Sequence, residues 1–175
     1  FLPHRDNHRP EVRDRLIASL REVVKGAEDA GVVLGLEPHT VTVLKDAETT
    51  KAIVDAVGSP ELRVHVDPVN WVTFDTIYET GALLDRIFDT LPQAYVLGLH
   101  AKGVRIEDRL IFHIDETYAG APDDLLDYRA FLRCAAALGP AADLVIEHTP
   151  PERIPDVRDY LLRIASEVGV AIDAA

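Results

Sequence analysis

The amino-acid sequence predicts an α/β fold built on parallel strands, and three observations carry that prediction. Short β-rich runs alternate with helical patterns along all 175 residues, and a crossover helix brings each new strand in at the same end of the sheet. Each of the four apolar runs ends in a carboxylate or an imidazole, at Glu37, Asp67, His100 and Glu147. The two faces of each run also differ, which favours the interior of a (β/α) barrel over an open sheet, whose central strands have helices on both faces.

The first ten residues, FLPHRDNHRP, hold two prolines and several polar groups and read as a loop. From Pro10, the residues Val12, Leu16, Leu20, Val23, Val24 and Ala27 recur at helical spacing, with the proline suited to a first turn and Gly31 to a stop. VVLGLE (Val32 to Glu37) is the first strand, and Asp46 is placed to cap a helix running to about Val57. LRVHVD (Leu62 to Asp67) is the second, followed by a helix face of Leu83, Leu84, Ile87, Phe88 and Leu91 that Pro92 stops. YVLGLH (Tyr95 to His100) is the third, and it opens the longest connection, in which RLIFHI reads as a short extra strand. Tyr128, Phe131, Leu132 and Ala135 mark a helix ending near Gly139, LVIE (Leu144 to Glu147) is the last strand, and a final helix opens at Pro155.

Composition narrows the function. The chain is 47% hydrophobic, enough to fill a core, and its 18 basic against 30 acidic residues give a net charge of −12. That balance repels nucleic acid and anionic membranes, whose phosphates need cationic partners. No apolar run is long enough to span a bilayer and no segment has the secretory pattern. Cys134 is the single cysteine, so no internal disulfide forms, and a reducing, cytoplasmic location is the expectation.

Side chains alternate along a strand, so Gly35 shares a face with Glu37, His65 with Asp67, Gly98 with His100 and Val145 with Glu147. The opposite face holds Leu34 and Leu36, Val64 and Val66, Leu97 and Leu99, Leu144 and Ile146, an aliphatic surface suited to helices. Strand carboxyl ends are where parallel α/β folds bind ligands. Three carboxylates and an imidazole converging there make a hard donor set for one divalent ion: Mn²⁺ first, with Mg²⁺ or Co²⁺ also suited. Solvated strand ends around a hydrogen-bonded histidine are the alternative.

These segments resemble the xylose isomerase-like TIM barrels, a family of sugar and sugar-phosphate isomerases, ketose 3-epimerases and inosose-processing enzymes. The matching stretches are GLEPH around Glu37, VHVDPVNW around Asp67, LHAK around His100 and VIEH around Glu147. The resemblance implies a (β/α)8 barrel in which Glu37, Asp67, His100 and Glu147 hold one metal ion. It implies an isomerase or epimerase acting on a sugar, sugar phosphate or inosose through an enediolate that the ion stabilises, with Glu37 and Glu147 as acid and base. An inosose-type dehydratase, a non-catalytic barrel remnant that binds metal or sugar, and an endonuclease IV-like repair enzyme are the alternatives, the last opposed by the acidic charge. The implied partner is a small sugar or polyol, with no nucleic acid or membrane; a homo-oligomer is compatible with this reading.

Departures from the family pattern are specific. Asn70 stands where many relatives have histidine three residues after the strand aspartate, and it can bind a hydroxyl but not shuttle a proton. Gly103 stands where many relatives read aspartate in His-x-Lys-Asp, and the Gly-x-Gly with Asp-Tyr pattern survives in part as Gly120, Pro122 and Asp127-Tyr128. Substrate contacts are expected from Asn70, His39, Lys102, Trp71 and Arg109; a loop role for His39 and Lys102 and a packing role for Trp71 are the competing readings. Arg105 and His113 lie with Arg109 in the long connection, where a lid can close. His65 is expected to support the site from below, and His148 to point away from Glu147 if the strand continues. A whole barrel of this type takes about 250 residues. With four strands, no methionine and a loop-like start at Phe1, residues 1–175 read as one domain segment, the C-terminal half of a barrel whose N-terminal half is missing.

Overall fold

The computed structural model describes residues 3–107, 109–139 and 143–173, so Phe1 and Leu2 lie outside the described residues. The chain runs α1 (Pro10–Ala30), β1 (Leu34–Leu36), α2 (Ala47–Val57), β2 (Leu62–Val66), α3 (Thr80–Thr90), β3 (Val96–Ala101), β4 (Gly103–Glu107), β5 (His113–Thr117), α4 (Tyr128–Ala137), β6 (Asp143–Ile146) and α5 (Ile154–Val168). Strands β1, β2, β3 and β6 form one sheet in that order, each neighbouring pair parallel. Strands β4 and β5 form a separate antiparallel hairpin. No helix among the described residues is long and apolar enough to cross a membrane.

Local chemistry sets the helix ends. Pro10 opens α1, and Gly31 closes it at φ 66°, its N–H reaching the carbonyls of Ala27 and Glu28. Asp46 caps α2, its carboxylate accepting from the Thr49 N–H at 2.7 Å. Burial alone would raise the Asp46 pKa, but the Thr49 hydrogen bonds and the Lys45 charge outweigh it and hold the carboxyl below its ordinary value. Asp46→Ala is therefore expected to cost about 1 kcal/mol at neutral pH. Because the folded pKa is the lower one, that contribution is present above the unfolded pKa and lost as pH falls through the folded value. Thermal melts of both proteins across acid pH check this: their difference should shrink on acidification.

Helices cover the aliphatic face of the sheet. Val64 and Val66 are fully buried and Leu99 nearly so, in one core with Val54, Leu84, Ile87, Phe131 and Ile164 from the helices. The other face is open, and Val145 on it stays 46% exposed. Strict alternation fails at one place. Val64 pairs with Val96 and His65 with Gly98, so Leu97 is an extra residue in β3. Its Cδ2 lies 2.9 Å from where a Cβ at Gly35 would stand, which puts Leu97 on the face of Gly35 and not, as alternation predicts, on that of Leu99.

The long connection also differs from expectation. In place of one strand over RLIFHI, Val104–Glu107 pairs with His113–Glu116, and Arg109–Phe112 lie outside the strands at the hairpin end. Leu110 is fully exposed, and Ile111 and Phe112 largely so; apolar residues with nothing to pack against gain nothing by extending.

Candidate metal centre

Each expected ligand stands at or just past a strand end. Glu37 follows β1, Asp67 follows β2, His100 is in β3 and Glu147 follows β6. Their ligand atoms all lie within 4.8 Å of one another. His100 Nδ1 is the hub: 3.2 Å from Glu37 Oε1, 3.4 Å from Glu147 Oε2 and 3.8 Å from Asp67 Oδ2. The Asp67 side chain is fully buried, and its Oδ1 accepts from the Val69 N–H at 3.0 Å. Glu147 is aligned by its own N–H, which donates to the Ala101 carbonyl at 3.0 Å. His100 Nδ1 and Glu147 Oε2 are buried with no hydrogen bond of their own, and Asp67 Oδ2 beside them has only an ion pair with Lys102. Buried polar atoms left this way are costly, and a divalent cation is the group that would satisfy all of them at once. The donor set of three carboxylates and an imidazole fits such an ion.

Behind this cluster lies a buried ammonium. Lys102, 2% exposed, is no solvated loop lysine. Its Nζ sits 2.8 Å from Asp67 Oδ2, 2.8 Å from Glu116 Oε1 and 3.5 Å from Glu147 Oε2, and donates to Asn70 Oδ1 at 3.0 Å. Burial opposes its charge, but Asp67 and Glu116 outweigh that and raise its pKa. Burial also pushes the Asp67 carboxyl up to about 6 against the pull of Lys102. Asn70 joins the two groups, its Nδ2 donating to Glu37 Oε1 at 3.4 Å. The Lys102 carbonyl is pinned by Tyr128, whose hydroxyl donates to it at 2.9 Å. The surviving Asp-Tyr pair thus anchors the site: Asp127 caps α4 through the Ala130 N–H and Tyr128 holds the Lys102 backbone.

Of the other expected residues, Trp71 and Arg109 land away from the cluster. Trp71 goes into the core, 4% exposed, with its Nε1 donating to the Leu44 carbonyl at 3.0 Å; it turns no open face to a substrate. Arg109 is exposed at the hairpin end and pairs with Glu107 at 2.7 Å. His39 is partly buried, and burial, then the Lys102 charge, lower its pKa. His65 tilts against His100 with ring centroids 4.0 Å apart, in space that Gly98 leaves free, since a Cβ there would lie 3.0 Å from the His65 ring.

Glu116, which the sequence does not single out, meets Lys102. Glu116, from β5, binds it with Oε1, and its Oε2 is paired with His148 Nδ1. The expectation that His148 points away from Glu147 fails because β6 ends at Ile146 and His148 adopts φ 47°. Its Nε2 lies 3.8 Å from Glu147 Oε1. Alternation in HIDET and the non-continuing strand at Glu147 were the available signals.

Parallel strands wrapped on one side by helices, with hard ligands gathered at their carboxyl ends, define a (β/α)-barrel protein with a candidate metal centre. The chain belongs to the xylose isomerase-like TIM barrel family, whose model matches residues 1–164. No curated protein matches the sequence. Among solved structures, it is similar to a xylose isomerase-like TIM barrel protein from Mycobacterium smegmatis in complex with magnesium, at 19% identity and TM-score 0.66 over 91% of this chain and 52% of that one. It is also similar to the IOLI protein with a bound zinc atom, at 16% identity and TM-score 0.57 over 91% of this chain and 55% of that one. D-psicose 3-epimerase from Clostridium cellulolyticum H10, solved with D-tagatose, matches at 16% identity and TM-score 0.59 over 91% of this chain and 57% of that one. The chain thus spans about half the length of these proteins.

Proposed function

We propose that this chain carries the metal centre of a divalent-metal-dependent isomerase or epimerase acting on a small sugar, sugar phosphate or inosose. The observation that supports it most is the convergence of Glu37, Asp67, His100 and Glu147 within 4.8 Å, with His100 Nδ1 and Glu147 Oε2 buried and without a hydrogen bond. Hard oxygen donors favour Mn²⁺ or Mg²⁺, with Co²⁺ also accommodated. A divalent ion there supplies a Lewis acid that polarises the carbonyl and neighbouring hydroxyl of a hydroxyketone.

The protein's own groups divide the remaining work by accessibility. Glu37 and Glu147 have side chains 36% and 22% exposed, so a substrate can reach them, and each can take or return a proton at an adjacent carbon. Asp67 is closed off and acts as a ligand only. The Asn70 amide and the Lys102 ammonium face the same cluster and suit hydroxyl oxygens. The magnesium-bound, zinc-bound and 3-epimerase fold neighbours support this reading.

Incubation with a ketose and inosose panel in deuterated water tests it, with Mn²⁺ or a chelator present. Epimer or isomer carrying solvent deuterium, formed only with metal, is expected. Loss of water from an inosose would move the protein to the dehydratase branch, and no metal-dependent conversion would overturn the enzymatic reading.

A further inference from the structure

We propose that Glu116 is a positioning residue of the metal centre: it is the counter-ion that keeps Lys102 seated while a divalent cation shares Asp67. The inference rests on the metal reading above and concerns residues outside the four expected ligands.

Asp67 has one oxygen committed to the Val69 N–H. The other, Oδ2, faces His100 and already has the Lys102 ammonium at 2.8 Å. A cation held by the four ligands therefore shares Asp67 Oδ2 and Glu147 Oε2 with that ammonium. Two positive centres on the same oxygens repel strongly in a protein interior, and Lys102, 2% exposed, is screened little by solvent. Asn70 offers a neutral oxygen only. Glu116 is the remaining partner, at 2.8 Å, and its charge is not consumed by the ion because it lies outside the ligand group.

Glu116 is itself held at both oxygens: Oε1 by Lys102 and Oε2 by His148. His148 reaches it from the end of β6 with the uncommon φ of 47°, a conformation a non-glycine residue keeps only when surrounding contacts repay it. The β4–β5 hairpin thus delivers a carboxylate that the sheet cannot, and β6 clamps it there.

Calorimetric titration of the metal-stripped protein with Mn²⁺ tests this, on wild type, E116Q, K102M and the double variant, each checked for folding by circular dichroism. Glu116 is 43% exposed on its side chain, so the amide is tolerated. E116Q should weaken Mn²⁺ binding by about tenfold, within the usual span of neighbour effects on metal sites. In the K102M background, where there is no ammonium to neutralise, the same change should cost less than about threefold. H148A, which frees one Glu116 oxygen, should show a smaller loss than E116Q and carries the test if K102M does not fold. Equal penalties in both backgrounds, or wild-type affinity in E116Q and H148A, would overturn the role of Glu116. Wild type that takes up no Mn²⁺ would instead overturn the metal reading, and this inference with it.

Discussion

Exchange of Glu147 for glutamine is expected to lower metal-dependent turnover of a ketose by about 10²- to 10⁴-fold, the usual contribution of a positioned acid or base. The amide has the shape of the carboxylate and keeps an oxygen for a cation, but it cannot accept a proton. The backbone that aims it, through the Glu147 N–H to the Ala101 carbonyl, is untouched, so the fold should persist. The loss should fall on kcat, with KM nearly unchanged and the metal content restored at saturating Mn²⁺. Turnover within about tenfold of wild type, measured with metal saturating, would remove Glu147 from the proton-transfer role.

The second large effect is expected at Gly103, where alanine should destabilise the protein by about 3 kcal/mol, the upper part of the overpacking range. A Cβ at this position would stand 2.6 Å from the Tyr118 carbonyl oxygen, 2.7 Å from Thr117 Cγ2 and 2.9 Å from Asp124 Cγ. Two of these three neighbours do not give way cheaply. Tyr118 presents backbone, and the Asp124 carboxylate accepts from the N–H groups of Val104, Gly120 and Leu126 at 3.0, 2.9 and 3.0 Å. Gly103 follows Lys102 and starts the hairpin that carries Glu116, so the damage should reach metal affinity as well. Urea unfolding measures the first effect and Mn²⁺ titration the second; a Gly103→Ala protein as stable as wild type would show that the hairpin base repacks freely. The packing also explains why no aspartate stands here: the space is filled by Asp124 from the following loop.

Much of this arrangement is legible in the sequence because two simple periodicities govern it. Helical spacing with Pro10, Gly31 and Asp46 locates α1 and α2 closely, and strand ends mark all four residues that converge. What escapes is whatever depends on departures from regularity. Alternation places Leu97 outward, but the extra residue in β3 turns it inward. Alternation also sends His148 away from Glu147, yet it applies only while a strand continues, and β6 stops two residues earlier. Glu116 is missed because its role is made by a hairpin whose pairing brings β5 back beside Lys102, a contact 14 residues apart in sequence. Trp71 is ambiguous for a different reason: an indole beside a site serves equally as a sugar platform or as core, and burial with its N–H on the Leu44 carbonyl decides for the core.

On the proposed function, Glu37, Asp67, His100 and Glu147 together hold one divalent ion. The most direct test of this is the stoichiometry of Mn²⁺ bound by the protein, followed by electron paramagnetic resonance during titration, for wild type and for Asp67→Ala and His100→Ala. One tightly bound ion per chain is expected in wild type, with loss of that ion in both variants. No bound ion in wild type, or an ion held equally well without Asp67 and His100, would contradict it.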